Sequence, residues 1–139
     1  MAIPEAEHLV EGVKSSVGDV TLDVRAELGG GDLVLVEVEN ASGLYLQVVM
    51  AEGAKFANVL VGRYVFDGIP IDVLLEFVVA LLQGQFRIEK KRVLWWVHYK
   101  LVVNTRHSEF DAFGSDGDVP LESWEREKYV GKTRRNKDK

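Results

Sequence analysis

The segment that most restricts how this chain can fold is "DGIPIDVLLEFVVALLQG", residues 67–84. Pro70 stands at a first-turn position, Asp72 lies in that turn where the helix dipole favours an acid, and Gly84 stands where helices commonly end in a left-handed glycine. Within the helix predicted from Ile69 to Gln83, apolar side chains cover nearly the whole circumference. Asp72, Glu76 and Gln83 form the one polar stripe. Such a helix has to be buried almost completely, against a sheet on one side and a second element or another subunit on the other. At 1.5 Å per residue it spans about 20 Å, too short for a bilayer.

A sheet is supplied by what precedes it. "DVTLDVRAEL" alternates apolar and polar residues cleanly, and "LVLVEVEN", "LYLQVVMAEG" and "FANVLVGRYVFDG" follow as three more strand-like runs. "GGGD" at 29–32 and "NASG" at 40–43 mark hairpin connections, and Gly62 reads as a bulge within the fourth run. A four-strand antiparallel meander is expected. Ahead of it, "PEAEHLVEGVKSSV" places Ala6, Leu9, Val10, Val13 and Val17 at helical spacing, an amphipathic helix weakened by Gly12.

Behind the buried helix, "FRIEKKRVLWWVHYKLVVNTR" returns to a period of two. Phe86 and Ile88 are its first apolar set, but from Val93 the odd positions take over: Trp95, Val97, Tyr99, Leu101 and Val103. That change of phase demands a turn or bulge, placed at the basic residues Lys90–Arg92. The expected fold is α+β: an antiparallel sheet of about five to six strands packed on the helix at 69–83. An amphipathic N-terminal helix and an irregular C-terminal arm pinned by Phe110, Phe113 and Trp124 complete it. Residues 1–125 form the single domain and 126–139 a basic tail.

Charge divides the chain in the same way. The tail carries seven Lys/Arg and two Asp/Glu, which leaves the first 125 residues at a net charge of -10. An acidic body repels nucleic acid, so only the tail is suited to touch phosphate, and the body attracts basic protein partners. Hydrophobic residues at 47% and charged residues at 28% describe a globular chain. Without cysteine there is no disulfide, thiolate ligand or thiol nucleophile. "MAIPEAEHLVEG" has neither the basic region nor the apolar run of a signal peptide, so a cytoplasmic address is expected.

The candidate binding residues lie on the face opposite the strand's core set. Trp96, with Leu94, His98 and Lys100, combines a large apolar area with directed polar groups, as interaction surfaces do. Glu37 and Glu39, on an earlier strand, are candidate partners for His98 and extend the surface. His98 is also the one candidate general base. "HSEFD" spaces His107, Glu109 and Asp111 like ligands on one side of an extended segment, with Asp116 and Asp118 beyond. The surrounding Gly, Ser and Asp composition reads instead as an acidic loop, and no metal or cofactor is expected. "GGGD" lacks the Lys-Ser/Thr pair of a phosphate loop, and no nucleophile elbow, H-E-x-x-H or dinucleotide fingerprint occurs.

These features point to a non-catalytic protein-binding module. The forms in view are a small acidic inhibitor or immunity-type protein, and an assembly subunit that meets its partner through an exposed sheet face. One alternative is a small-molecule-binding or hydrolytic domain whose pocket, between sheet and helix, uses Asp72, Glu76 or His98. Another is a structural subunit of a homo-oligomer or a phage-like assembly. A pocket shared by Glu76 and His98 would favour the small-molecule reading. A flat exposed face holding Trp96 would favour protein binding.

Overall fold

Alternation in the first half folds as an antiparallel meander. β1 (Val20–Ala26), β2 (Leu33–Asn40), β3 (Tyr45–Ala51), β4 (Phe56–Val61) and β5 (Tyr64–Pro70) pair in chain order into five-stranded sheet A. These elements come from a computed structural model that describes residues 4–17, 20–26, 33–41, 43–51, 53–106, 108–116 and 120–130. The glycine connection at 29–32 and the tail beyond 130 lie outside the described residues. The run expected as a single bulged fourth strand is two strands. Val61 pairs with Tyr64 across a two-residue turn, and Gly62 supplies that turn's positive φ of 56°.

α2 spans Ile71–Leu82, starting two residues later than expected because β5 runs on through Ile69 and Pro70, and ending one residue before Gln83. Pro70 takes the N-cap with φ -59° and ψ 139°. At the other end Gly84 sits at φ 79°, its N–H donating to Leu81 O, while Gln85 N–H donates to Ala80 O. This pair of bonds is a Schellman motif, which satisfies carbonyls the helix leaves open. The second cover for this apolar helix comes from within the chain. α1 (Pro4–Ser16) buries Ala6, Leu9 and Val13 and packs on α2. Gly12 has a packing role there, because a Cβ on it would lie 2.5 Å from Leu75 Cδ2.

The strands after α2 do not extend sheet A; they build a sheet of their own. β6 (Phe86–Val93), β7 (Trp96–Asn104) and β8 (Glu109–Asp116) form antiparallel sheet B in the order β6-β7-β8. Its inner face joins Phe86, Ile88, Tyr99, Leu101, Val103 and Ala112 to the core shared with sheet A and α2. Phe77 of α2 contacts Phe66 of β5 and Phe110 of β8 edge-on, at 5.0 and 5.4 Å, and so ties the two sheets through the helix. β8 falls in the segment expected to be an irregular arm. Its inward positions, Phe110, Ala112 and Gly114, keep the alternation, but two of the three are too small to announce a strand.

α3 (Ser123–Lys128) follows, and after it Tyr129 bridges Ile88 in parallel while Val130 N–H donates to Ile88 O at 2.9 Å. This covers the β6 edge, which would otherwise present unpaired backbone. Hydrogen-bonded structure thus runs five residues past Glu125. Among the described residues, no helix is long and apolar enough to cross a membrane.

Candidate functional site

β6 and β7 form a hairpin whose connection is Leu94–Trp95, with Val93 paired to Trp96. The turn lies two residues beyond the basic stretch, and Lys90, Lys91 and Arg92 belong to the strand. Nothing in "VLWW" resembles a turn sequence, which favours Gly, Asn or Asp. Leu94 nonetheless adopts φ 58°, a left-handed backbone that is strained for a branched side chain.

The consequence at the surface is large. Leu94, Trp95 and Trp96 are 77%, 74% and 62% exposed, three consecutive apolar side chains at the apex. Trp95, expected in the core with Tyr99 and Leu101, is therefore corrected to an apex position. The alternation of β7 does not run back through the turn, because the hairpin itself exchanges the two parities, pairing Ile88 with Leu101 and Val93 with Trp96.

Below the apex, the outer face of sheet B continues the apolar run. The Trp96 and His98 rings meet edge-on at 6.2 Å, and His98 meets Phe113 of β8 at 6.1 Å. Lys100 Nζ lies 5.8 Å from the centre of the Phe113 ring and 3.7 Å from Asp111 Oδ2. Phe113, expected as an anchor of the arm, is 53% exposed and belongs to this face instead, whereas Phe110 and Trp124 do pack inward. Leu94, Trp96, His98 and Lys100 are thus brought together on one hairpin, and Phe113 joins them.

Glu37 and Glu39 are not. β2 lies in sheet A, where Glu37 accepts hydrogen bonds from the Tyr45 hydroxyl and Gln47 Nε2, and Glu39 is exposed opposite Tyr45. The carboxylates on the face of sheet B come from β6 and β8. Arg87, paired in register with Val102, holds Glu89 at 2.6 Å and reaches Glu109 on β8 at 3.5 Å, roofing a Val102 that is 1% exposed. Its hydrogen bond to Glu89 holds the Arg87 guanidinium above its ordinary value. Partial burial pushes the Glu89 carboxyl up, but the Arg87 bond and charge, with Lys100 and Lys91, outweigh it and leave Glu89 below the usual carboxylate range.

The candidate metal ligands are occupied otherwise. Glu109 pairs with Arg87 and Asp111 with Lys100, while His107 lies outside the described residues. Among the described residues no group of three or more acidic or histidine side chains is placed to hold a metal. Glu76 lines an open groove of about 500 Å3 with Gln83, Asn104 and Arg106, and accepts a hydrogen bond from Arg106 N–H. His98 is not among that groove's lining residues.

A second cluster was anticipated only in Trp124, expected as an anchor of the arm. Glu125 is fully buried, accepting from the Tyr64 hydroxyl at 2.6 Å, from Arg63 Nη2 at 3.3 Å and from Glu122 N–H at 2.8 Å, and its Oε2 pairs with Arg63 Nε at 3.2 Å. Burial, and next the bond to Glu125, push the Tyr64 hydroxyl far above its ordinary value. Trp124, edge-on to Tyr64 and Phe86, closes the cluster. The one sequence signal was Glu122-x-x-Glu125, the spacing of a capping box, which α3 does form. No family model, curated protein or solved structure matches this chain.

Proposed function

We propose that the chain is a non-catalytic protein-binding module, a subunit of an assembly, which docks through the β6–β7 apex and the adjoining face of sheet B. The observation that carries the reading is the apex: Leu94, Trp95 and Trp96 stand exposed together on a turn that strains Leu94. Exposed aromatic clusters mark interfaces, and strained backbone is kept where function demands it. The surroundings of His98 support binding over catalysis. Its ring neighbours are Trp96 and Phe113, and the nearby carboxylates are committed to Arg87 and Lys100.

Charge supports the assembly form over the acidic inhibitor. Residues 90–100, "KKRVLWWVHYK", hold four Lys/Arg and no acid. A surface that neutralises a basic enzyme leaves carboxylates free at the contact, whereas Glu89, Glu109 and Asp111 on this face are paired with Arg87 and Lys100, and Lys90, Lys91 and Arg92 flank the apex. The test is capture from the native host by immobilised wild type and by a Trp95→Ser, Trp96→Thr double variant, followed by affinity measurement with the purified captured protein. The expected loss is at least about tenfold, the scale of aromatic hot spots. Retention of nothing by the wild type, or equal affinity for the variant, would sink the reading.

A further inference from the structure

A slot between the first turns of α1 and α2 complements this apex. It measures about 220 Å3 and is lined by Pro4, Leu9, Ile71, Leu74 and Leu75, with Glu5 and His8 beside it. Glu5 Oε1 is buried and has no hydrogen-bond partner, a condition buried polar atoms rarely keep. Glu5 lines the recess, so a small turn of its carboxylate brings this unmet acceptor to whatever enters. α1 also carries Glu7 and Glu11, both exposed, against one Lys14.

Each property of the slot has its complement at the hairpin apex. An indole offers a flat apolar body with a single N–H donor at its edge, which is what an apolar slot with one unmet acceptor accommodates. Trp95 supplies such an indole, 74% exposed and without a ring contact among the described residues. Arg92, exposed, supplies a cation for the α1 carboxylates, and Lys90 and Lys91 stand beside it, Lys91 3.9 Å from Glu89 and Lys90 over the Tyr99 ring.

We propose that the partner is a second copy of this chain: the apex of one molecule docks in the α1–α2 slot of the next, with Trp95 Nε1 donating to the Glu5 carboxylate. This rests on the protein-binding reading above and names its partner. Knob and slot are different patches of the surface, so the contact is head-to-tail, and it closes as a ring or runs on as a filament. Apolar burial supplies the attraction, and the charges set orientation and salt dependence.

Sedimentation velocity on the full chain, from low to high micromolar concentration, reads this directly. The wild type is expected to rise in mass by at least about twofold. The rise should be smaller in high salt, where surface charges are screened beyond about 10 Å or less. Trp95→Ser destroys the knob and Glu5→Lys opposes the cations at the slot, so each variant alone stays monomeric. An equimolar mixture of the two forms a heterodimer and stops there, because each pair consumes the one intact knob and the one intact slot. His8→Trp, which fills the slot from its own side, gives the same result should Glu5→Lys fail to fold.

A wild type that stays monomeric, variants that associate like the wild type, or a mixture that remains monomeric overturns the proposal. So does a monomer that binds phosphatidylserine vesicles through the apex, which assigns the same residues to a bilayer. A monomeric wild type that still captures another protein through Trp95 and Trp96 removes self-docking but leaves the binding reading intact. Loss of that capture as well removes both.

Discussion

Two clusters in this molecule are built from the same kinds of side chain and behave oppositely. Arg63, Tyr64, Trp124 and Glu125 bring a cation, aromatics and a carboxylate together under cover, with Trp124 5% exposed and Glu125 0%. Lys100, Trp96, His98, Phe113 and Asp111 bring the same chemistry together in the open, with Trp96 62% exposed. The difference lies in the layers. α3 is drawn onto Tyr64 of β5 and Phe86 of β6 by Trp124 and held there by the bridge from Tyr129 to Ile88, whereas no described helix packs on the Trp96 face of sheet B. Residue type therefore does not separate a stability cluster from a binding cluster; cover does.

The largest effect should come from opening the sealed cluster. Glu125→Ala takes from the Tyr64 hydroxyl and the Arg63 guanidinium the carboxylate they share, while Arg63 keeps its bond to Pro120 O. Breaking a buried pair in this way costs about 3–5 kcal/mol, which urea denaturation would read as a lower midpoint at unchanged slope. A loss below about 1 kcal/mol would show that the cluster is no more consequential than a surface ion pair.

The same cluster fixes an alkaline response. The Tyr64 hydroxyl is held above its ordinary value of 10.0, so its contribution is fully present below pH 10 and is lost as pH rises beyond it. The expected slope is up to about 1.4 kcal/mol per pH unit. Tyr64→Phe should flatten that slope while lowering stability at neutral pH. An unchanged slope in this variant would assign the alkaline loss to other groups.

Gly114→Ala probes how tightly β8 closes on the cluster. A Cβ there would lie 2.6 Å from Tyr64 Cε1 and 2.7 Å from Arg63 Cγ, so both side chains must move. Overpacking of this kind costs about 1–3 kcal/mol. A neutral result would show that Arg63 and Tyr64 have slack, weakening the contrast with the open face.

Sequence reasoning reached the elements whose own residues specify them. Pro70, Asp72 and Gly84 delimit α2 because caps are local, and the strands of sheet A through β4 were legible because their residues alternate, with one face buried in β2 to β4 and half-covered in β1. Where the decisive neighbour is remote, it failed. Arg63 stands 62 positions from Glu125, and no local pattern announces that bond. β8 was hidden by Ala112 and Gly114, the glycine being small because Tyr64 and Arg63 press on it. The grouping of Trp96, His98 and Lys100 was accessible from alternation alone. The turn was not, because its strained Leu94 breaks the rule by which turns are read, and Trp95 was misplaced with it.

That strained residue gives a prediction of opposite sign. Leu94→Gly removes the clash between Cβ and backbone at φ 58°, at the cost of a more flexible unfolded chain. The net expectation is a gain of about 1 kcal/mol in stability. The same change deletes an exposed apolar side chain from the apex and should weaken partner binding. A variant that is more stable and still binds normally would remove the strain from the functional account.

The smallest expected effect is also the sharpest test of the contrast. Trp96→Thr keeps a strand-compatible side chain and removes a ring whose one ring contact among the described residues is His98 at 6.2 Å. Little apolar area leaves the core, and the lost aromatic pair is worth about 0.5–1.5 kcal/mol at most. A fall in melting temperature beyond about 5 °C would mean that Trp96 supports the fold as Trp124 does. Near-wild-type stability together with lost association would place the residue on the binding side alone. The two tryptophans would then differ in what each is kept for: Trp124 for the packing of α3, Trp96 for a surface that another molecule completes.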